Sequence, residues 1–400
     1  MSPEPPGGVS AEVRRRLTRL LEAHDPATTP PRALWGAQFD LGLAWVTFPP
    51  GAGGLGATAA DQLVVDATLG EAGVPGGWTR NPVGIGIVGP LLAAEGDDAQ
   101  RRRWLRPAFT TEEVWCQLFS ERQAGSDLAA VATTARAEAG PGSAWVVDGE
   151  KVWTTLGHRA RWGLLLARTG PAGSRHRGLT TLVVDMGDPG VTVRPLRMLT
   201  GEAEFNEVTL RGVRVPDEAR IGPPGGGWGV ALSLLGAERS SIGTRVPARG
   251  RGPIAEAVRQ WHQRWPAPAA DGGGAEERAV ARDRLVALWI EAEAVRLTNL
   301  RARQNLAAGT VGPEAATAKL TFARLNQRAS DLTLDLMGVD GLCHPGGYRW
   351  SQPEEVGWAE GETSKAYLRS RANSVEGGTS EILLSVIAQR VLGLPGEPRG

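Results

Sequence analysis

Residues 144–155 read AWVVDGEKVWTT. Val, Trp and Thr fill both halves, and these are strand-forming residues. Asp148-Gly149 stands between AWVV and EKVWTT, a pairing that predicts a hairpin turn. The β zone opens near Val114 and continues through RWGLLLART, LTTLVVDM, VTVRPL and FNEVTL. These are short runs rich in Val, Leu and Thr, broken by Gly and Pro. A small sandwich or barrel is the natural reading of such a series.

On either side the chain reads as helix. Val13, Leu17, Leu20 and Leu21 form one apolar stripe, with Ser10 placed as its cap. DQLVVDATLGEAG reads as a further helix, and GIGIVGPLLAAEG and DDAQRRRWLRPAF as a pair joined near Gly96. Helix returns near Gly225 with GWGVALSLLGAERSSIG. A second helix, from about Arg278 to Leu306, sets Leu285, Leu288, Trp289, Ala292 and Val295 on one face. A third spaces Ala318, Phe322, Leu325, Ala329, Leu332 and Leu336 alternately by four and three, the stripe that bundle helices bury. PAPAADGGGAEE reads as a flexible linker, and ILLSVIAQRVL as the last helix.

Composition narrows the function. Forty-four basic residues balance forty-four acidic ones, which gives no support for a nucleic-acid surface. Cys116 and Cys343 stand far apart and fit a reduced, intracellular protein. The five histidines show no metal-ligand spacing, so no metal is expected. The N-terminus lacks the apolar core of a signal peptide, and no run of eighteen apolar residues exists to span a membrane. A cytoplasmic location is therefore expected. Most of the fourteen tryptophans are expected in cores or interfaces.

Four stretches carry candidate chemistry. QLFSERQAGSDLA (117–129) is a Ser- and Gly-containing loop whose amides suit an anion or a polar ring, and it also reads as an ordinary loop. KVWTTLGH (151–158) sets Trp153 beside two threonines, able to stack on and hydrogen-bond a flat heterocycle; a core tryptophan on a strand is the plainer reading. GWGVALSLLGAERSSIG (227–243) puts Glu238 on a helix among Leu234, Leu235 and Ile242. Partial desolvation there would raise its pKa and suit it to proton transfer, whereas the plain reading is a surface Glu-Arg pair. SVEGGTSEI (374–382) offers a second carboxyl, Glu376, before two glycines.

In this order and spacing, the stretches resemble the acyl-CoA dehydrogenase family. The resemblance runs from WGAQFDLGLAWVTFPPGAGGLG to the C-terminal helix and includes WCQLFSE, AGSDLA, DGEKVWTT, EFNEV, VRVP, GGGW and EGGTSEI. It implies an α+β fold with an N-terminal all-α domain (1–113), a middle β-sandwich or barrel domain (114–222) and a C-terminal four-helix bundle (223–400). It also implies FAD, an acyl-CoA or other acyl thioester, and electron-transfer flavoprotein or a similar acceptor. In such chemistry a glutamate removes the α-proton while the β-hydride leaves for flavin N5, and donors meet the charge on the thioester oxygen.

The family carries its base in one of two places. One lies immediately before the Gly-Thr of the C-terminal loop, which here is Gly377, with Glu376 one residue early. The other lies on the first bundle helix just before an arginine, which here is Glu238, followed by Arg239. The resemblance thus implies Glu238 as base, Glu376 as reserve, and the Gly377 backbone amide as donor to the carbonyl. By matched position, Gln117, Phe119, Ser120, Gly125 and Ser126 approach the flavin. Trp153, Thr154 and Thr155 flank its ring, and Gly378, Thr379 and Glu381 meet it from the C-terminal loop. Ser126 and Arg239 are candidate substrate contacts.

Three departures are visible. Arg122-Gln123 replace a usual Pro-Gly, VPARGRGPIAEAV replaces an Arg-x-x-Phe-Gly stretch, and Asp335 and Asp340 enter a loop that normally faces a pyrophosphate. The resemblance is to actinobacterial members, some of which act on steroid or polyketide-like thioesters and assemble as mixed tetramers. A homo-dimer or tetramer, a mixed tetramer, and a non-catalytic partner subunit are all open. A flavin monooxygenase on the same fold is disfavoured by Glu238. Gly84, Gly86 and Gly89 either leave room for a bulky acyl group or permit close helix packing.

Overall fold

The computed structural model describes residues 10–138, 143–171, 173–234, 246–266, 274–307, 314–344, 350–357 and 362–396. The chain divides into two units. The first comprises Met1–Leu196, Ala203–Ala237 and Gln352–Val356; the second comprises Arg197–Glu202, Glu238–Ser351 and Gly357–Gly400.

The first unit begins with helices. In α1 (Ala11–Ala23) the Ser10 hydroxyl accepts from the Val13 amide, as its capping position requires. The stripe buries Val13, Leu17 and Leu20 with Leu43, Val46, Val65 and Leu69. α2 (Pro31–Asp40) follows, then α3 (Ala59–Glu71), opened by a Thr58–Asp61 capping box. A π-helical turn, Gly84–Val88, leads into α4 (Gly89–Glu95), and α5 (Asp98–Phe109) pairs with it across Gly96.

Eight strands follow: β1 (Trp115–Leu118), β2 (Thr134–Ala137), β3 (Ala144–Thr155), β4 (Trp162–Arg168), β5 (Leu179–Asp185), β6 (Val191–Leu196), β7 (Phe205–Pro216) and β8 (Arg220–Ile221). They form one mixed sheet in the order β6-β7-β3-β2-β4-β5-β8, with β1 also paired to β4. β1 and β2 run parallel to β4, and the other pairs are antiparallel. Leu164, Leu165, Leu166 and Ala167 of β4 are buried on both faces of the sheet, which explains their unbroken apolar run. A helix α6 starts at 227 and is described to 234; Val230, Ala231 and Leu234 join the core of this unit.

The hairpin expected at Asp148-Gly149 is not formed. β3 runs straight through, with a register shift against β7 between Val147 and Gly149. Glycine is needed there for contact, not for a turn: a Cβ on Gly149 would lie 2.3 Å from the Thr133 hydroxyl. Asp148 serves the bulge, accepting from the Gly212 amide and pairing with Arg136.

The second unit is helical. α7 (Pro253–Arg264), α8 (Ala275–Ala307), α10 (Thr363–Ser370) and α11 (Ser380–Val386) all pack on α9 (Glu314–Met337). Ile254, Ala257, Leu285, Leu288, Leu325, Leu332 and Leu336 form its core, so both stripes read from sequence face inward.

Candidate active site

A strand places successive side chains on opposite faces. β3 breaks that rule where the resemblance puts the cofactor. Lys151 and Val152 are consecutive and both buried, Trp153 is 59% exposed, and Thr154 is buried again. The cause is a second register shift against β7, between Lys151 and Thr154. At its centre Trp153 adopts φ 60°, the left-handed region. A bulky residue pays on the order of 1–2 kcal/mol for that conformation. The result is an indole plate turned outward, supported edge-on by Phe205 at 5.8 Å. Beside it the buried Thr154 hydroxyl has no hydrogen-bond partner among the described residues.

The Thr154 backbone is held from behind. Asn206 donates to the Thr154 carbonyl at 3.1 Å and lies 3.2 Å from His158 Nδ1. His158 Nε2 lies 2.9 Å from the Pro353 carbonyl, which can only accept. Nε2 therefore carries the proton and Nδ1 accepts from Asn206.

Of the other matched residues of this unit, Gln117 lies half-buried on β1 and the rest lie in the loop after it. Ser120 is half-buried, Phe119 is buried, and Gly125 and Ser126 are exposed. The Ser120 carbonyl accepts from the Val152 amide, tying the loop to the bulge. The two residues that replace Pro-Gly are both engaged. Arg122 pairs with Glu207 at 2.5 Å, and Gln123 donates to Glu121 at 2.8 Å. Sequence reasoning missed the group beneath them: Lys151 is fully buried and paired with buried Glu121 at 2.8 Å. Burial pushes the Lys151 ammonium down to about 8, against the pull of Glu121. Glu121 stays below the usual carboxylate range; burial opposes this, but Lys151 and the amide donors outweigh it.

In the second unit the C-terminal loop is tethered along one face of α9. Lys319 donates to the Gly378 carbonyl at 2.6 Å, Asn326 to Asn373 at 2.6 Å, and Gln327 to the Ser370 carbonyl at 3.2 Å. Gly377 and Gly378 have φ 63° and 95°, so this turn requires glycine at both positions. Thr379 caps α11 through the Ile382 amide, and Glu381 lies exposed in its first turn. The Glu376 carboxylate is engaged on both oxygens, by Asn373 at 2.7 Å and by Arg369 at 2.8 Å. Glu238 and Arg239 lie outside the described residues.

Of the three glycines near α4, two are there for packing. A Cβ on Gly84 would meet Asn81 at 2.3 Å, and one on Gly89 would meet Trp45 at 2.6 Å. Asn81 is fixed in turn, bonding the Ala108 carbonyl and the Trp115 amide. Asp335, one of the two acidic departures, pairs with Arg284 at 2.7 Å. Among the described residues no cluster of His, Cys, Asp or Glu is arranged for a metal, and no helix is long and apolar enough to cross a membrane.

Helices, a mixed sheet and then a helical bundle in one chain make an α+β architecture. Comparison with known proteins makes this specific. Residues 8–112, 116–213 and 225–392 match the N-terminal, middle and C-terminal domains of acyl-CoA dehydrogenases. The acyl-CoA dehydrogenase IpdE1 of Mycobacterium tuberculosis (strain ATCC 25618 / H37Rv) is 36% identical over 362 residues, covering 90% of this chain and 86% of that protein. IpdE1 of Mycolicibacterium smegmatis (strain ATCC 700084 / mc(2)155) is 34% identical, covering 90% and 87%. Among solved structures, the ChsE4-ChsE5 complex from Mycobacterium tuberculosis superposes with a TM-score of 0.72 at 24% identity, over 97% of this chain and 99% of that one. The chain belongs to the acyl-CoA dehydrogenase family and is an oxidoreductase of that class.

Proposed function

We propose that this enzyme oxidises the Cα–Cβ bond of an acyl thioester, as acyl-CoA or on a carrier protein, using FAD. The observation that carries the reading is the outward Trp153 plate on a strained bulge, beside a buried hydroxyl with no partner among the described residues. Strain of this kind persists where a function selects it. FAD, when bound, supplies the hydride acceptor. Trp153, Thr154 and Thr155 flank its ring, and Gln117 of β1 with Phe119, Ser120, Gly125 and Ser126 of the following loop line it. Gly378, Thr379 and Glu381 serve it from the C-terminal loop.

Glu238 is the base that takes the α-proton, with Ser126 and Arg239 as substrate contacts. The occupied oxygens of Glu376 support this choice, because a carboxylate held by Arg369 and Asn373 must break two contacts before it can accept a proton. The Gly377 amide donates to the thioester oxygen, where negative charge builds up. The protein works in the cytoplasm, passes electrons to electron-transfer flavoprotein or a similar acceptor, and assembles as a homo-oligomer or with a related subunit. Its domains divide at 1–113, 114–222 and 223–400.

The test is the visible spectrum of the purified chain, followed by bleaching with a panel of acyl-CoAs. About one FAD per chain, bleached by a thioester, is expected. Glu238→Gln should then abolish bleaching with flavin retained, and Glu376→Gln should be milder. A fully active Glu238→Gln enzyme would refute the assignment of the base. A second reading, a non-catalytic partner subunit, is favoured by the missing Arg-x-x-Phe-Gly stretch and predicts a colourless chain when expressed alone.

A further inference from the structure

Lys151 and Glu121 form a buried junction whose contacts are mostly with main chain. Lys151 Nζ donates to the Phe119 carbonyl at 3.0 Å, the Leu166 carbonyl at 2.8 Å and Glu121 Oε1 at 2.8 Å, using all three of its protons. Glu121 accepts from the Ala132 amide at 2.7 Å and the Thr133 amide at 3.0 Å. Glu121 therefore joins the two ends of the segment 121–133, and Lys151 anchors that neck to β4 at Leu166 and to β3 two residues before Trp153.

A buried ion pair is weak evidence for stability, since apolar residues of similar volume often serve as well. What such a pair does supply is a unique geometry, because every wrong arrangement strands a charge. We propose that the Lys151–Glu121 pair positions the loop of residues 122–131 against the Trp153 bulge, and so sets the cofactor-facing surface of the sheet. Both are positioning residues: neither has an atom free to touch a ligand. The proposal rests on the flavin reading above for its purpose, but not for its geometry.

The experiment compares the full-length wild type with Lys151→Met, Glu121→Gln and a control, Leu17→Ala, which loosens the buried stripe of α1. Two quantities are read: hydrogen–deuterium exchange of residues 119–133 without added cofactor, and the dissociation constant for added FAD. Both junction variants should speed exchange in 119–133 by at least tenfold and weaken FAD by at least tenfold. The control, even at a similar loss of melting temperature, should do neither. Exchange within twofold of wild type in the junction variants overturns the proposal, as does weakened FAD binding without faster exchange. If Lys151→Met does not fold, the isosteric Glu121→Gln decides by the same criteria. A wild type that binds no FAD refutes the flavin reading alone, and the exchange result still decides the positioning role.

Discussion

Trp153 offers a test in which stability and binding move separately. Its side chain is 59% exposed, so about two-fifths of it is buried. For an indole that is on the order of 100 Å², or ~2.5 kcal/mol at roughly 25 cal/mol per Å². The edge-on contact with Phe205 adds roughly 0.5–1.5 kcal/mol. Trp153→Ala loses both and keeps the left-handed strain of φ 60°. Trp153→Gly also loses both, but it relieves roughly 1–2 kcal/mol of strain and gives back roughly 0.5–1 kcal/mol in chain entropy. The glycine variant should therefore equal or exceed the alanine variant in stability by up to about 1.5 kcal/mol. That is the reverse of the usual order in a strand. Denaturant midpoints of the two variants measure the difference. Stacking of a flat heterocycle on an aromatic ring is worth roughly 1–3 kcal/mol, so both variants should bind FAD ~5- to 150-fold more weakly. A glycine variant clearly less stable than the alanine variant would refute the strained backbone. Undiminished FAD affinity in both would refute the plate.

Other consequences are testable in the same way. Lys319→Met removes the donor to the Gly378 carbonyl, so thioester turnover should fall about tenfold, equivalent to ~1.4 kcal/mol, with FAD bound more weakly as well. Gly149→Ala would drive a Cβ against the Thr133 hydroxyl and should cost roughly 1–3 kcal/mol, read as a lower denaturant midpoint. Asp217 is held down to about 2 by the Arg220 guanidinium and by the Trp145 indole. Because its folded pKa is depressed, its contribution is present above an ordinary value near 3.8 and disappears as pH falls toward 2. Asp217→Asn should flatten the drop in melting temperature across that window, and an unchanged slope would show that the group contributes nothing there.

What could be read from the sequence, and what could not, follows from the range of the interactions involved. The stripes of α1, α8 and α9 were legible because a 3.6-residue period is a local property, and a cap such as Ser10 acts within one turn. Asp148-Gly149 misled because two different demands select glycine. A turn needs its backbone freedom, while here the approach of Thr133, sixteen positions away, needs its missing side chain. Lys151 was invisible for a similar reason: a lysine in a strand reads as solvent-facing until its partner, thirty residues earlier, is known to close over it. Glu238 is proposed as base from a motif alone, since nothing in its own sequence neighbourhood separates a base from a surface ion pair, and it lies outside the described residues.

Several of the failures meet on one strand. The broken alternation at Lys151 and Val152, the left-handed Trp153 and the Thr154 hydroxyl without a partner fall within four consecutive residues. Among the described residues of β3 these departures coincide at 151–154, whereas on β5 the Thr181 hydroxyl lacks a partner among the described residues without a left-handed residue beside it. A fold selected for stability alone would have little reason to keep a lysine buried, a tryptophan strained and a hydroxyl unsatisfied side by side, each at a cost of about 1 kcal/mol or more. Concentrated violations of this sort are expected where binding takes priority over packing, as the proposed cofactor face requires. That argument reaches the same strand as the family motifs by an independent route. It predicts that Thr154→Val, which removes a buried hydroxyl with no partner among the described residues, will stabilise the sheet and weaken FAD binding. Stabilisation there that leaves FAD affinity intact would break the link between strain and function.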